Sequence, residues 1–300
     1  MIEEKNKPQN FWLYRYQIFV SEPFQPELYG IEEKRGIKTS ADLKAIRNNI
    51  LRGIIPALPN TKDNRNHCYQ ITSISEDRTQ FLLTAEAQRS RKVMQNRTPK
   101  NVPHQPWAWI AIDTDDDVQT IAIAPVSDMR QDTINRVLTS NLQRILKKKG
   151  LDFVTHSIKR DDGFWEYVQE NKGALREVTF TVSPPNMPGI STTVGSQLTE
   201  LIKSTQAKQG NISLKAPRGA TLELHQGNTR LRNFVDHVNK GGGDYSFLRK
   251  GSTKKDTPKN IQKSIVATPH PTVQLFEVDI DSPAASILTK IRVDYKITAE

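Results

Sequence analysis

Hydrophobic residues in this chain fall into short runs of strand length, set between polar breaks and a few stretches with helical spacing. Residues 11–20 are aromatic and aliphatic, interrupted only by Arg15 and Gln17, which predicts a strand near the centre of a sheet. Leu43, Ile46, Ile50 and Ile54 recur at helical spacing behind the capping residues Thr39 and Ser40, with Gly53 and Pro56 as the stop. Alternating runs at 67–75 and 81–87 predict a hairpin. A second hairpin is predicted at 107–113 and 118–124, where the runs are so continuously apolar that both faces should be covered.

Ile134, Val137, Leu138, Leu142, Ile145 and Leu146 trace one face of a helix that ends in Lys147, Lys148, Lys149 and Gly150, cations suited to the negative end of its dipole. Strand, helix and strand follow at 151–158, 162–171 and 175–182. Beyond the breakers Pro184, Pro185 and Pro188, a helix is expected around 194–202, a hairpin from 212–215 and 221–225, and a helix over 228–239 that stops in a flexible hinge at Gly241, Gly242 and Gly243. Residues 250–264 are polar and basic and read as a flexible loop, and 273–280 and 291–297 as closing strands. Paired strands with scattered helices favour an α+β fold, a mixed and largely antiparallel sheet with flanking helices. Residues 88–106, polar and rich in proline, suggest a loop and a boundary between subdomains 1–103 and 104–300.

Composition narrows the function classes. The formal charge is +10, with 43 Lys and Arg against 33 Asp and Glu. It is regional: residues 203–264 alone carry +9, leaving +1 for the rest. That distribution points to a polyanionic partner. No stretch approaches a membrane span and no signal peptide is visible at residues 1–10, so a cytoplasmic location without membrane contact is expected. Cys68 is the sole cysteine, which rules out an intramolecular disulfide; it lies in an alternating run and reads as a buried strand thiol.

The phosphate-contact candidates are Lys215, Arg218, Arg230, Arg232, Lys240, Arg249, Lys250, Lys254 and Lys255, with Tyr245 and Phe247 interleaved. A second cluster, Arg89, Arg91, Lys92, Arg97 and Lys100, supplies either the other wall of a groove or an ordinary exposed loop. Asp113, Asp115, Asp116 and Asp117 have the donors for a hard cation, but turn chemistry accounts for them and no metal or other cofactor is expected. The glycine triplet follows a helix instead of leading into one, unlike a phosphate-cradling loop. Serine hydrolase, kinase and zinc hydrolase signatures are absent.

Arg232, Asn233 and His237 form the one sharp catalytic motif. Over six residues it resembles the R-N-x-x-x-H form of the motif of HEPN ribonucleases, and that resemblance implies metal-independent RNA cleavage by Arg232 and His237 paired across two protomers of an all-helical domain. Leu231, Phe234, Val235 and Val238 equally describe a packing helix. The reading from sequence is therefore a binder of DNA or RNA, expected as an accessory subunit of a bacterial or viral conflict system and not as a catalyst. A nuclease is the alternative, and a subunit that meets an acidic protein partner or its own copy is the third class.

Overall fold

The computed structural model describes residues 9–21, 37, 39–60, 67–125, 129–159, 162–183, 205, 207, 209–257 and 272–275. In chain order the elements are β1 (Gln9–Val20), α1 (Ser40–Ala45), α2 (Arg47–Ile54), β2 (His67–Ile74), β3 (Gln80–Ala87), β4 (Arg89–Gln95), β5 (Thr98–His104), β6 (Trp107–Asp113), β7 (Thr120–Pro125) and α3 (Gln131–Lys147). They continue with β8 (Leu151–Ser157), α4 (Gly163–Glu170), β9 (Leu175–Val182), β10 (Gly210–Lys215), α5 (Thr229–His237), β11 (Gly243–Arg249) and β12 (Thr272–Leu275). The fold is α+β with largely antiparallel sheets. Two units divide it, one comprising 1–154 and 272–298, the other 155–271 with 299–300. The boundary expected at 103 falls inside β5, and the strands on either side of residues 88–106, β3 and β6, pair directly from Gln80↔Asp113 to Glu86↔Trp107.

The first unit is built on a sheet of order β12-β1-β7-β6-β3-β2, with β8 also pairing β1. The run at 11–20 thus lies inside the sheet, as its composition predicts. Strands β6 and β7 are buried almost throughout, which explains why their sequences are continuous instead of alternating. Tyr14, Tyr16, Phe81, Ile110 and Ile123 join Leu51 of α2 and Leu138 and Leu142 of α3 in one core. Thr39 and Asp42 form a reciprocal capping box at the start of α1, but Ile46 (φ −106°, ψ 5°) breaks the expected single helix into α1 and α2.

Strand β2 is the last of its sheet, so alternate side chains point away from the core. Cys68 is one of them and is exposed, not the buried thiol its alternating run suggests.

The second unit has the sheet order β10-β9-β11, all antiparallel. Phe164 sits at its centre, with Phe180, Tyr245 and Phe247 at ring-centroid distances of 5.8, 5.1 and 5.0 Å, and Val235 of α5 completes the core. The hairpin expected from 212–215 and 221–225 does not form. Instead β10 pairs with β9, while Leu222 spends its amide on the carbonyl of Leu175. Residues 250–257 also depart from the expected flexible loop: the amide and carbonyl of Asp256 both bond Phe247, and its carboxylate accepts from Tyr167 Oη at 2.6 Å. The remainder of that loop, the helix near 194–202 and the tail beyond 275 lie outside the described residues.

Candidate nucleic-acid interface

The segment read as a proline-rich loop is a two-stranded antiparallel ribbon. β4 and β5 pair in register from Arg89↔His104 to Gln95↔Thr98, and every residue of the two strands except the half-buried His104 is exposed. Asn96 and Arg97 connect them at φ 50° and 63°, so both turn residues are left-handed, as a two-residue type I′ turn requires. Below the ribbon the Ala87 amide donates to the Pro106 carbonyl at 2.9 Å, which joins it to the β3–β6 pair. Seven residues per strand give a reach of about 23 Å.

Two prolines disguise this ribbon in the sequence without preventing it. The pair flanking a two-residue turn exchanges both backbone hydrogen bonds, and hydrogen-bonded and non-hydrogen-bonded pairs alternate from there. Pro99 and Pro103 fall opposite Met94 and Ser90, at non-hydrogen-bonded positions where a missing N–H costs the ladder nothing.

Residues 88–106 hold five cations, Arg89, Arg91, Lys92, Arg97 and Lys100, and no carboxylate. Strand alternation puts Arg89, Arg91 and Lys100 on one face and Lys92 on the other, with Arg97 at the tip. None of these side chains contributes to a core. Among the described residues no carboxylate pairs with them, so their charge stays open to a ligand.

In the second unit the expected phosphate contacts divide into two groups. Lys215, Lys255 and Arg249 already serve carboxylates of their own chain. Lys255 Nζ lies 2.8 Å from Glu177 Oε1 and 2.9 Å from Thr179 Oγ1, and Lys215 Nζ lies 3.6 Å from Glu177 Oε2. Lys255 above all, with Ser213 and Thr179 as further donors, overcomes burial and holds the Glu177 carboxyl down at about 2. Arg249 Nε donates to Asp256 at 2.8 Å. By contrast Arg218, Arg230, Arg232, Lys240, Lys250 and Lys254 are exposed and, among the described residues, form no ion pair. Arg230 and Arg232 lie in the first turn of α5, where positive charge opposes the helix dipole and no acidic residue offsets it; Asn228 caps the turn by accepting from the Leu231 amide at 3.2 Å. Folding of α5 gains nothing from these two charges.

The interleaved aromatics are not available to stack bases. Tyr245 is 4% exposed and Phe247 fully buried. Their signal in the sequence is that of a strand interior.

Arg232 and His237 do not converge. Five residues at 100° each turn the second about 140° from the first, and α5 presents Arg232 to solvent while His237 is 4% exposed. The His237 ring packs on Gly242, where an added Cβ would stand 2.2 Å from Nε2. All three glycines are buried and structural instead of a hinge. Gly241 is left-handed at φ 84°, Gly242 makes room for His237, and at Gly243 a Cβ would lie 1.9 Å from the Thr181 carbonyl oxygen. Backbone bonds from Lys159 to Asn239 and from Ser183 to Gly242 hold the turn at both ends.

A cluster that sequence reasoning missed joins His156, Ser183, Asp244 and Lys159. His156 Nε2 is 2.9 Å from Ser183 Oγ, and Nδ1 is 3.7 Å from Asp244 Oδ2. These are the residue types of a hydrolytic triad, but Ser183 is 1% exposed and its amide is committed to Gly242. The arrangement ties together the ends of β8 and β9 and the start of β11. The acidic turn is likewise structural: Asp113 accepts the Asp115 amide and Asp115 the Asp117 amide, both at 3.0 Å, and Asn48 donates to Asp116. Among the described residues no group of three His, Cys, Asp or Glu is placed to hold a metal ion, and no helix is long and apolar enough to cross a membrane.

Comparison of the chain with protein-family models, with curated proteins and with solved structures finds no match.

Proposed function

We propose that the protein is a nucleic-acid-binding module of the cytoplasm that contacts phosphates through the β4–β5 ribbon, with Arg218, Arg230, Arg232, Lys240, Lys250 and Lys254 of the second unit as further contacts. The observation that carries this reading is the ribbon: five cations without a carboxylate on an exposed element that buries nothing. Like charges gathered on a two-stranded element repel one another; a polyanion relieves that repulsion, and its condensed counterions are released as the cations bind.

The test is a gel shift of the full chain across a salt series. If five to seven phosphates are neutralised, log K falls against log salt with a slope of about −4 to −6. Alanine at Arg89, Arg91, Lys92, Arg97 and Lys100 together should abolish binding at moderate salt. Absence of binding to duplex DNA, single-stranded DNA and RNA at low salt would overturn the reading, and so would undiminished binding by the fivefold variant.

A further inference from the structure

The ribbon carries an apolar feature that phosphate binding alone does not require. Met94 is 67% exposed, and Val93 and Val102 are 41% and 43% exposed; these are three of the five exposed large hydrophobic residues among those described. Such side chains are thus concentrated on one small element. Met94 stands directly across from Pro99, one pair below the residues that flank the turn. Alternation places Lys92 on the same face as this pair, while Arg97 stands at the tip and Lys100 next to Pro99.

We infer that the ribbon is an arm for duplex DNA that enters the minor groove, wedges Met94 and Pro99 into a base step and kinks the helix. The inference rests on the nucleic-acid-binding reading above and names its ligand. Met and Pro are side chains that proteins insert between base pairs from the minor groove, partially unstacking the step and bending the duplex by about 20–90° toward the major groove. Unstacking a step costs free energy, and the cost is offset when the bend brings phosphates onto flanking cations. Lys92, on the same face toward the base, and Arg97, at the tip, flank the wedge to receive them, and Lys100 lies on the opposite face. An arm of about 23 Å spans about seven base pairs at 3.4 Å each, and Arg89 and Arg91 lie nearer its base on the face opposite the wedge, toward the other wall of the groove.

Composition separates this ligand from its competitors. Single strands are held by stacking bases on aromatic rings, and residues 88–106 contain no Phe, Tyr or Trp. Duplex RNA offers a wide, shallow minor groove lined with 2′-hydroxyls, which is recognised by shape and polar contacts and not by an apolar wedge. The most favourable target is a flexible pyrimidine–purine step such as TpA, whose unstacking is least costly.

The experiment uses the full chain and a 30-base-pair duplex with a central TpA step, labelled at both ends for energy transfer, beside a duplex RNA of matching length. The wild type should bring the DNA ends closer on binding. Met94→Ala combined with Pro99→Ala should bind with less than about a fivefold loss of affinity but leave the duplex straight, and Met94→Leu, which keeps an apolar wedge, should restore the bend in a Pro99-containing arm. Binding with no change in end-to-end distance, equal bending by the double alanine variant, or equal distortion of duplex RNA would each overturn the inference while leaving nucleic-acid binding intact. Failure to bind any of the nucleic acids would remove both.

Discussion

Nζ of Lys159 lies 2.9 Å from Oδ1 of Asp244, and the same ammonium donates to the Gly243 carbonyl at 2.9 Å. Lys159 is 3% exposed, whereas half of the Asp244 side chain meets water. Burial by itself would raise the Asp244 carboxyl, but Lys159 and then His156 hold it well below the ordinary carboxylate range.

A carboxyl depressed in the folded state stabilises the fold above its unfolded value, 3.8, and that stabilisation is lost as pH falls through the folded value. Asp244→Asn should therefore lower stability at pH 7 by about 1 kcal/mol, the scale of an ion pair in contact with solvent. The difference from wild type should shrink steadily below pH 4. Urea midpoints at pH 7 and pH 3 check it, and an equal difference at both would show that the ion pair contributes nothing.

Three glycine positions make opposite demands. At Gly243 an added Cβ would meet backbone of β9, the central strand of its sheet, which cannot step aside. Gly243→Ala should destabilise by about 3 kcal/mol or more. Gly242→Ala meets the His237 ring and should also destabilise, whereas Gly53, inside α2 with open space around it, should gain about 0.5–1 kcal/mol on replacement by Ala. Thermal denaturation of the three variants tests the order.

At the ribbon tip the two demands are stability and charge. Arg97 adopts φ 63°, a conformation that favours glycine and strains other residues by about 1 kcal/mol or more. Arg97→Gly should leave the melting temperature unchanged or raise it slightly while weakening binding to duplex DNA about three- to tenfold. A lower melting temperature, or unchanged affinity, would show that the cation is not held at the tip for a ligand.

The sequence makes most of the fold legible because periodicity reports burial directly. The helical face from Ile134 to Leu146 and the apolar runs of β6 and β7 each correspond to an element packed in the core. Legibility fails where pairing depends on position in the sheet. The alternation that predicts a buried Cys68 is just as regular on an edge strand, and Leu214 and Leu222 look like facing strands although β10 finds its partner in β9. The ribbon escapes notice because proline is usually evidence against a strand, and only the register shows that Pro99 and Pro103 fall where no donor is needed. Its one local signal is Asn96, a residue tolerant of left-handed turns, between two stretches of equal length. The second-unit cations are visible as charge, but which of them are taken by Glu177 and Asp256 depends on contacts between positions as far as 78 residues apart.

Those same prolines have a consequence for the company the ribbon keeps. The N–H groups of residues at non-hydrogen-bonded positions face outward, and on β5 these positions are 99, 101 and 103. Proline removes two of the three, so the outer margin of β5 offers a neighbouring strand almost nothing to accept. Together with cations that repel a second copy, this leaves the β5 edge of the ribbon a poor template for strand addition. On that side, pairing with a neighbouring strand is disfavoured by the chain's own residues.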